Sequence, residues 1–296
     1  PNRPIKIVVP YAAGGGADQV TRLIGQRLGD RLKQSVVVEN RGGGSNTIGM
    51  SIVAKAPADG YTLGLLTVSA MSIAPHVTKN LGFNPSKDFT PITNIIITEG
   101  AIVANAATPF SSVKEFVAYA KANPGKVSYA SVGNGSIPHL TAEMFAQRAG
   151  VSLLHVPYKG AAPVMTDLLG GQINCTFLNI AALMPYIKSG QVRPIGVSTV
   201  KRSPLLPELP AVAETYPGFE VNSWYGMMAP AKTPANVVNL LQKEVAKILQ
   251  MPEIIQTLQA AGLSVEGTTP EQYAEQIKRD LSRWETAVSK AGIQKQ

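Results

Sequence analysis

A single cysteine, Cys175, is all the thiol this 296-residue chain carries, so no internal disulfide can form and cysteine usage does not locate the protein. Its setting, Ile173-Asn174-Cys175-Thr176-Phe177, reads as a strand that buries an inert thiol. Long apolar runs are also missing. The densest, such as Ile95-Ile96-Ile97, are strand-sized and far short of the roughly 18 residues that cross a bilayer. Charged residues are scarce at 16% against 45% hydrophobic, which suits a folded chain and excludes a disordered one. Basic runs are absent too. The net charge of +8 comes from singly scattered residues such as Lys114, Lys121, Lys126, Lys243 and Lys247. Without interleaved aromatics, a helix-turn-helix or an RNA-binding signature, no nucleic-acid partner is expected. The charge reads as a solvated basic surface, with a weak capacity to steer anions toward a cleft.

Catalytic and cofactor motifs are missing in the same way. The three histidines, His76, His139 and His155, have no H-E-x-x-H or paired-ligand spacing, so no metal site is expected. No G-x-S-x-G elbow and no G-x-x-x-x-G-K-[ST] loop occurs. Gly133-Asn134-Gly135 lacks the third glycine of a dinucleotide motif, since Pro138 stands there. Ser136 and His139 read as a capping serine and a first-turn histidine rather than a nucleophile and its base. No cofactor is expected and no enzymatic activity.

What is present is alternation. Ile5-Lys6-Ile7-Val8-Val9 reads as a strand, and Val20, Leu23, Ile24, Leu28 and Leu32 then recur at the spacing of one helix face. A strand at Val36 to Val38, a helix around Asn46 to Ala56 and a strand at Thr62 to Leu66 complete a βαβ pattern. The middle repeats it. A capping box at Ser112-Val113-Lys114-Glu115 opens a helix that stops near Pro124-Gly125, and strands are expected at 127–131, 153–156, 173–177 and 194–198. The last stretch holds helices at 237–249, 252–261 and 273–291 with no intervening strand, and Thr233-Pro234 and Thr269-Pro270 read as cap-plus-proline starts. These helices must pack on a sheet already made, and the first unit is the economical choice. The chain then crosses twice between two lobes, expected as 1–103 with 223–296, and 104–222. Hinges are placed near Gly100 to Asn105 and Val221 to Tyr225.

Two segments share one physical design. Tyr11-Ala12-Ala13-Gly14-Gly15-Gly16-Ala17-Asp18 and Ser131-Val132-Gly133-Asn134-Gly135-Ser136-Ile137-Pro138-His139 each lead from a strand into a helix N-terminus. A helix start has unpaired N–H groups and partial positive charge, and glycines let an anion reach them. One such loop per lobe would form two jaws around a carboxylate. Each loop alone could equally serve only to turn the chain. Asp18 could stabilise its helix by roughly 0.3–1 kcal/mol as a first-turn acid instead of touching a ligand. The glycine cluster Arg41 to Asn46 either adds to the same pole or only caps a helix.

Over essentially its whole length the chain resembles the Bug family, the TctC-like solute receptors of tripartite tricarboxylate transporters. The carriers are Ile7-Val8-Val9-Pro10-Tyr11 with Gly14-Gly15-Gly16 and Asp18, Val38 to Gly44, Pro57-Ala58-Asp59-Gly60-Tyr61-Thr62-Leu63, Asp88-Phe89-Thr90-Pro91-Ile92, Gly133 to Leu140, Val156-Pro157-Tyr158-Lys159-Gly160 and Ser203 to Glu214. The resemblance implies a two-lobed α/β periplasmic binding-protein fold, type II-like, each lobe a mixed, mainly parallel sheet flanked by helices. It implies export, consistent with a start at Pro1 that suggests a removed signal, a two-component membrane permease as partner, and a monomer. It implies that one ligand carboxylate is held by the two loops, from Tyr11 and Ala13 to Asp18 and from Ser131 through Gly133, Asn134, Gly135 and Ser136 to His139. The distal end of the ligand would meet Thr67, Ser69, Tyr158, Lys159, Gly160, Ala161, Pro163, Thr176, Leu178 and Asn179. Tyr158 to Pro163 also reads as a plain surface turn. Many relatives have Phe-Asp-Asn where this chain has Phe177-Leu178-Asn179. Losing that acid weakens the case for an amino-acid ligand. With Met71 and Ile137, Leu178 favours an aliphatic or aromatic carboxylate such as terephthalate, unless it only packs in a core. Two rival readings are an α/β transferase using the same loops and an intracellular ligand-sensing module.

Overall fold

The computed structural model describes residues 2–11, 13–42, 47–158 and 160–295. Strand β1 (Ile5–Val9) pairs in parallel with β2 (Val36–Asn40) and β3 (Thr62–Thr67). Helix α1 (Gly16–Leu32) crosses between β1 and β2, and α2 (Thr47–Ala54) leads to β3. Val20, Ile24 and Leu28 are buried because their spacing of four puts them on one stripe of α1 facing the sheet.

After β3 comes a π-helical turn, Ser69–Ile73, that runs into the short α3 (Ala74–Val77); neither was legible in the sequence. The long β4 (Phe89–Asn105) follows. Then come α4 (Val113–Ala122), β5 (Ser128–Ser131), α5 (Ile137–Ala149), β6 (Leu154–Pro157), α6 (Ala161–Leu169), β7 (Cys175–Asn179), α7 (Ile180–Lys188) and β8 (Val192–Val197). The chain returns through β9 (Asn222–Pro230) and ends in α8 (Ala235–Leu249), α9 (Pro252–Ala260), β10 (Ser264–Val265) and α10 (Pro270–Lys290).

One curled sheet runs β2-β1-β3-β9-β4-β7-β5-β6, with β8 and β10 also paired to β4. Its ends are parallel and its middle antiparallel. Strand β4 changes partners along its length. Phe89 to Glu99 pair with β9, while Gly100 to Asn105 pair with β7 and β8. The expected α/β class and βαβ alternation are thus present.

Four local expectations need correction. A strand does interrupt the C-terminal helices: β10 pairs Ser264 and Val265 with Ile97 and Ile96. Two residues are too few to show a period-two pattern, so only tertiary pairing defines it. Thr233 does not cap α8; its hydroxyl donates to the Pro230 carbonyl at 2.7 Å and Pro234 takes the cap position. At α4, Ser112 Oγ accepts the Glu115 N–H, but the Glu115 carboxylate turns to the N–H and hydroxyl of Ser111 and leaves the box half closed. Thr269 and Gln272 close theirs reciprocally. Finally, α10 packs on β4 and α3 and also against α5. Its Trp284, Ala287 and Val288 share one continuous core with Phe116, Phe145 and Phe177. The opposite face of the sheet is covered by α1, α8 and α9 at one end and by α6 and α7 at the other.

Candidate functional site

The first glycine turn is closed from within. Gly14 has φ 84°, a left-handed conformation that disfavours a side chain, and its N–H donates to Asp18 Oδ2 at 2.8 Å. Asp18 is buried, and Arg22 Nε lies 3.0 Å from one of its carboxylate oxygens and 3.1 Å from the other. Burial alone would raise the Asp18 carboxyl. The Arg22 guanidinium, the Gly14 N–H and the Asn40 side chain outweigh it together and hold the group below the usual carboxylate range. Asp18 thereby fixes the turn, and Gly15 caps α1 without a side chain.

The second turn is built differently. Ser131 is fully buried at the end of β5, and its hydroxyl meets both the N–H and the carbonyl of Gly133. Ser136 Oγ donates to the Gly133 carbonyl at 2.6 Å, and Gly135 N–H donates to His139 Nδ1 at 3.0 Å. The Ser136 side chain thus serves the turn, and Ser136 sits at the cap position of α5 without bonding its N–H groups.

Both turns border one cleft of about 380 Å³. Gly15, Gly16 and Ala17 from α1 line it on one side, and Ser136, Ile137 and Pro138 from α5 on another. The first turns of α6 and α7 reach it as well, through Ala161, Asn179 and Ala182. Asn179 Oδ1 caps α7 by accepting the Ala182 N–H at 2.8 Å. No Asp, Glu, Lys, Arg or His lines this cleft among the described residues. Its ionisable groups are Tyr11 and Tyr225. Burial pushes the Tyr11 phenol up to about 12, offset in part by its hydrogen bond with Thr67 and reinforced by Tyr225. Burial likewise raises Tyr225. Both rings are therefore neutral donors near neutral pH, and the cleft's fixed positive potential comes from helix starts.

Of the residues singled out from sequence, Tyr11, Gly15, Gly16, Ala17, Thr67, Ser69, Ser136, Ala161, Leu178 and Asn179 line the cleft. Ala13 and Gly14 lie exposed on the preceding turn, Asp18 is behind it, and Gly133, Asn134 and Gly135 form the second turn without reaching the wall. Ser131 and His139 support that turn from below. Thr176 is buried with its hydroxyl donating to the Ala130 carbonyl, and Tyr158 donates to Asp167. Gly160 and Pro163 flank the start of α6 away from the wall, and Lys159 lies outside the described residues. Met71 is packed in the core.

Sequence reading missed the floor. Thr98, Gly100, Val221, Ser223 and Tyr225 line it from the two crossing segments, and Ser198, just past β8, joins them through its bonds to Gly100 and Val221. Gly100, Val221, Ser223 and Tyr225 fall within the expected hinges, so joining hinge to cleft floor would have found those four; Thr98 and Ser198 lie outside them. Ala101, Ile102, Val132, Thr141 and Phe177 complete the wall, which is mostly apolar.

An α/β sheet with a central antiparallel crossing and helix starts around an internal cleft defines a periplasmic-binding-protein fold, a receptor architecture. A family model described as "Tripartite tricarboxylate transporter family receptor" (TctC) matches residues 20–293, and the chain belongs to this family of binding receptors, which are not enzymes. Among solved structures it is similar to R. palustris Rpa4515 with adipate: 36% identity, 100% of this chain and 99% of the other covered, TM-score 0.83. It is similar to the periplasmic binding protein BugD at 38% identity, with both chains fully covered and a TM-score of 0.78. MatC (Rpa3494) from Rhodopseudomonas palustris with bound malate is 29% identical, covering 97% of this chain and 99% of the other at TM-score 0.77. Among the described residues no helix is long and apolar enough to cross a membrane.

Proposed function

We propose that this chain captures a small organic carboxylate in the periplasm and presents it to a two-component permease of the tripartite type. The observation that carries the reading is the convergence of the α1 and α5 N-termini on one cleft that no ionised side chain lines among the described residues. A carboxylate there would accept charge-assisted hydrogen bonds worth about 1.5–3 kcal/mol each. The relatives with adipate and malate support this ligand class. The mostly apolar wall, with Leu178, Ile137 and Phe177, favours an aliphatic chain or an aromatic ring beyond the carboxylate.

Closure follows from the crossings. The lobes are taken as 1–103 with 223–296, and 104–222; the partner change in β4 at Glu99 and Gly100 and the start of β9 at Asn222 support this division. A guest touching α1 from one lobe and α5, α6 and α7 from the other would bind best when they approach, and so would favour the closed state. The chain would act as a monomer, each copy with a whole cleft.

A thermal-shift screen with adipate, malate, terephthalate and monocarboxylates tests this, since a ligand of the native state raises the melting point. Gly15→Asp is the control: aspartate suits a helix cap, but its charge would face the guest. Stabilisation by no carboxylate, or by one that Gly15→Asp leaves intact, rejects the reading.

A further inference from the structure

Two stacked imidazoles carry the second glycine turn. His139, in the first turn of α5, is buried, and its Nδ1 accepts the Gly135 N–H at 3.0 Å. That nitrogen can accept only while it holds no proton. The ring lies parallel to His155 at 4.0 Å and 5°. His155 Nε2 is 2.7 Å from Ser131 Oγ, the hydroxyl that holds the Gly133 N–H. The Gly133 carbonyl in turn takes the N–H and hydroxyl of Ser136, at the cleft edge. Gly135 therefore depends directly on a bare imidazole nitrogen, while His155 reaches Gly133 only through Ser131, which bonds both its N–H and its carbonyl.

We infer that His139, stacked on His155, forms a proton-sensitive support for this turn: the neutral His139 ring holds Gly135, and with it the turn from Gly133 to Ser136 that borders the cleft, and protonation of Nδ1 releases it. The consequence for ligand hold rests on the proposed reading of the cleft. A proton on His139 Nδ1 would set two donors face to face at Gly135. Charging both rings would stack two cations 4.0 Å apart. The ionisable groups facing the pair are Tyr129 from β5 and Glu143 from α5, with Cys175 from β7 behind Tyr129. Tyr129 stacks on His155 and donates to Glu143 at 2.6 Å. Glu143 favours a proton on His139, but burial outweighs it and leaves that ring below the ordinary histidine value. Burial first, and then the neighbouring His139, lowers His155 to about 4. The support is thus intact at neutral pH and fails on the acid side.

The test follows the Gly135 amide resonance and the histidine ring resonances in ¹⁵N-labelled protein without ligand, from about pH 8 to about pH 4. The amide should move with the His139 midpoint, below that of free histidine. In His139→Asn, which keeps an acceptor near Nδ1 but takes no proton, that movement should vanish. Binding of the tightest of adipate, malate and terephthalate, corrected for the ligand's own protonation, should weaken about tenfold per pH unit below the midpoint. The profile should flatten in His139→Asn, and His139→Leu should bind more weakly than His139→Asn at pH 8. A Gly135 amide that stays fixed down to pH 4, or a binding profile unaltered by His139→Asn, overturns the proposal. If none of the three carboxylates binds at any pH, the ligand reading fails alone, and the amide titration still decides the histidine support.

Discussion

The carboxylate of Asp18 reaches back four residues to hold the Gly14 N–H at 2.8 Å, so the first glycine turn is fastened to its own helix. Arg22, one turn further along, holds the same carboxylate in place. Asp18→Ala would free a buried arrangement of charge-assisted bonds and should cost about 1–3 kcal/mol in chemical denaturation. Because the folded carboxyl sits below its usual range, its contribution is present above the ordinary carboxylate pKa and lost as pH falls through the lowered one. A variant as stable as the parent at pH 7 would contradict this role.

Among the described glycines, Gly226 in β9 leaves the least room for a side chain, because Tyr273 of α10 fills it. A Cβ added at Gly226 would sit 1.9 Å from the Tyr273 hydroxyl and 2.2 Å from its ring. Tyr273 is fully buried and stacks edge-on to Trp224, so it has little room to yield. Gly226→Ala should destabilise by about 3 kcal/mol or abolish folding. A melting point within a degree of the parent would show that the ring can move.

Tyr273 offers the opposite case. Its hydroxyl is buried with no hydrogen-bond partner among the described residues, and burial drives its pKa well up. Removing an unsatisfied polar atom should be neutral or stabilising by about 1 kcal/mol. Tyr273→Phe is therefore expected to melt at or above the parent temperature, and a clear loss would reveal a partner such as an internal water.

Cys175 should be chemically silent. It is fully buried in β7, and burial raises its thiol far above the ordinary value. A thiol reagent at neutral pH is expected to label it only after denaturant is added, with the labelling rate following unfolding. Fast labelling of native protein would place the strand in exchange with an open state.

Acid should weaken the fold through the histidines. Below about pH 6.5 the unfolded chain takes up protons that His155, lowered to about 4, refuses in the native state. Stability is therefore lost progressively as pH falls from 6.5 toward 4. With solvent screening of a half-exposed ring the loss is on the order of 1 kcal/mol. Melting curves at stepped pH check the sign, and a His155→Phe variant should show a shallower decline.

The α/β alternation was legible because apolar spacing changes from two to nearly four between Ile5–Val9 and Val20–Leu28. The two glycine turns were legible because glycine followed by a helix pattern carries a local mechanism. What Asp18, His139 and Ser131 do was not legible. Each holds a turn from behind, and whether a polar side chain faces a cleft or its own loop depends on a rotamer that no spacing encodes. Asp18 could be weighed between the two roles from sequence, and only its bond to Gly14 decided it.

The sequence by itself determined most strands, most helices and the two anion-suited helix starts, because hydrophobic period, caps and glycines act within a few neighbouring residues. Only the tertiary structure decided that four helix starts share one cleft, that Thr98 and Ser198 join its floor, and that α10 spans both halves of the core. Those relations join residues far apart in the chain, and they arise from the partner change of β4 and the curl of the sheet, which no local pattern records.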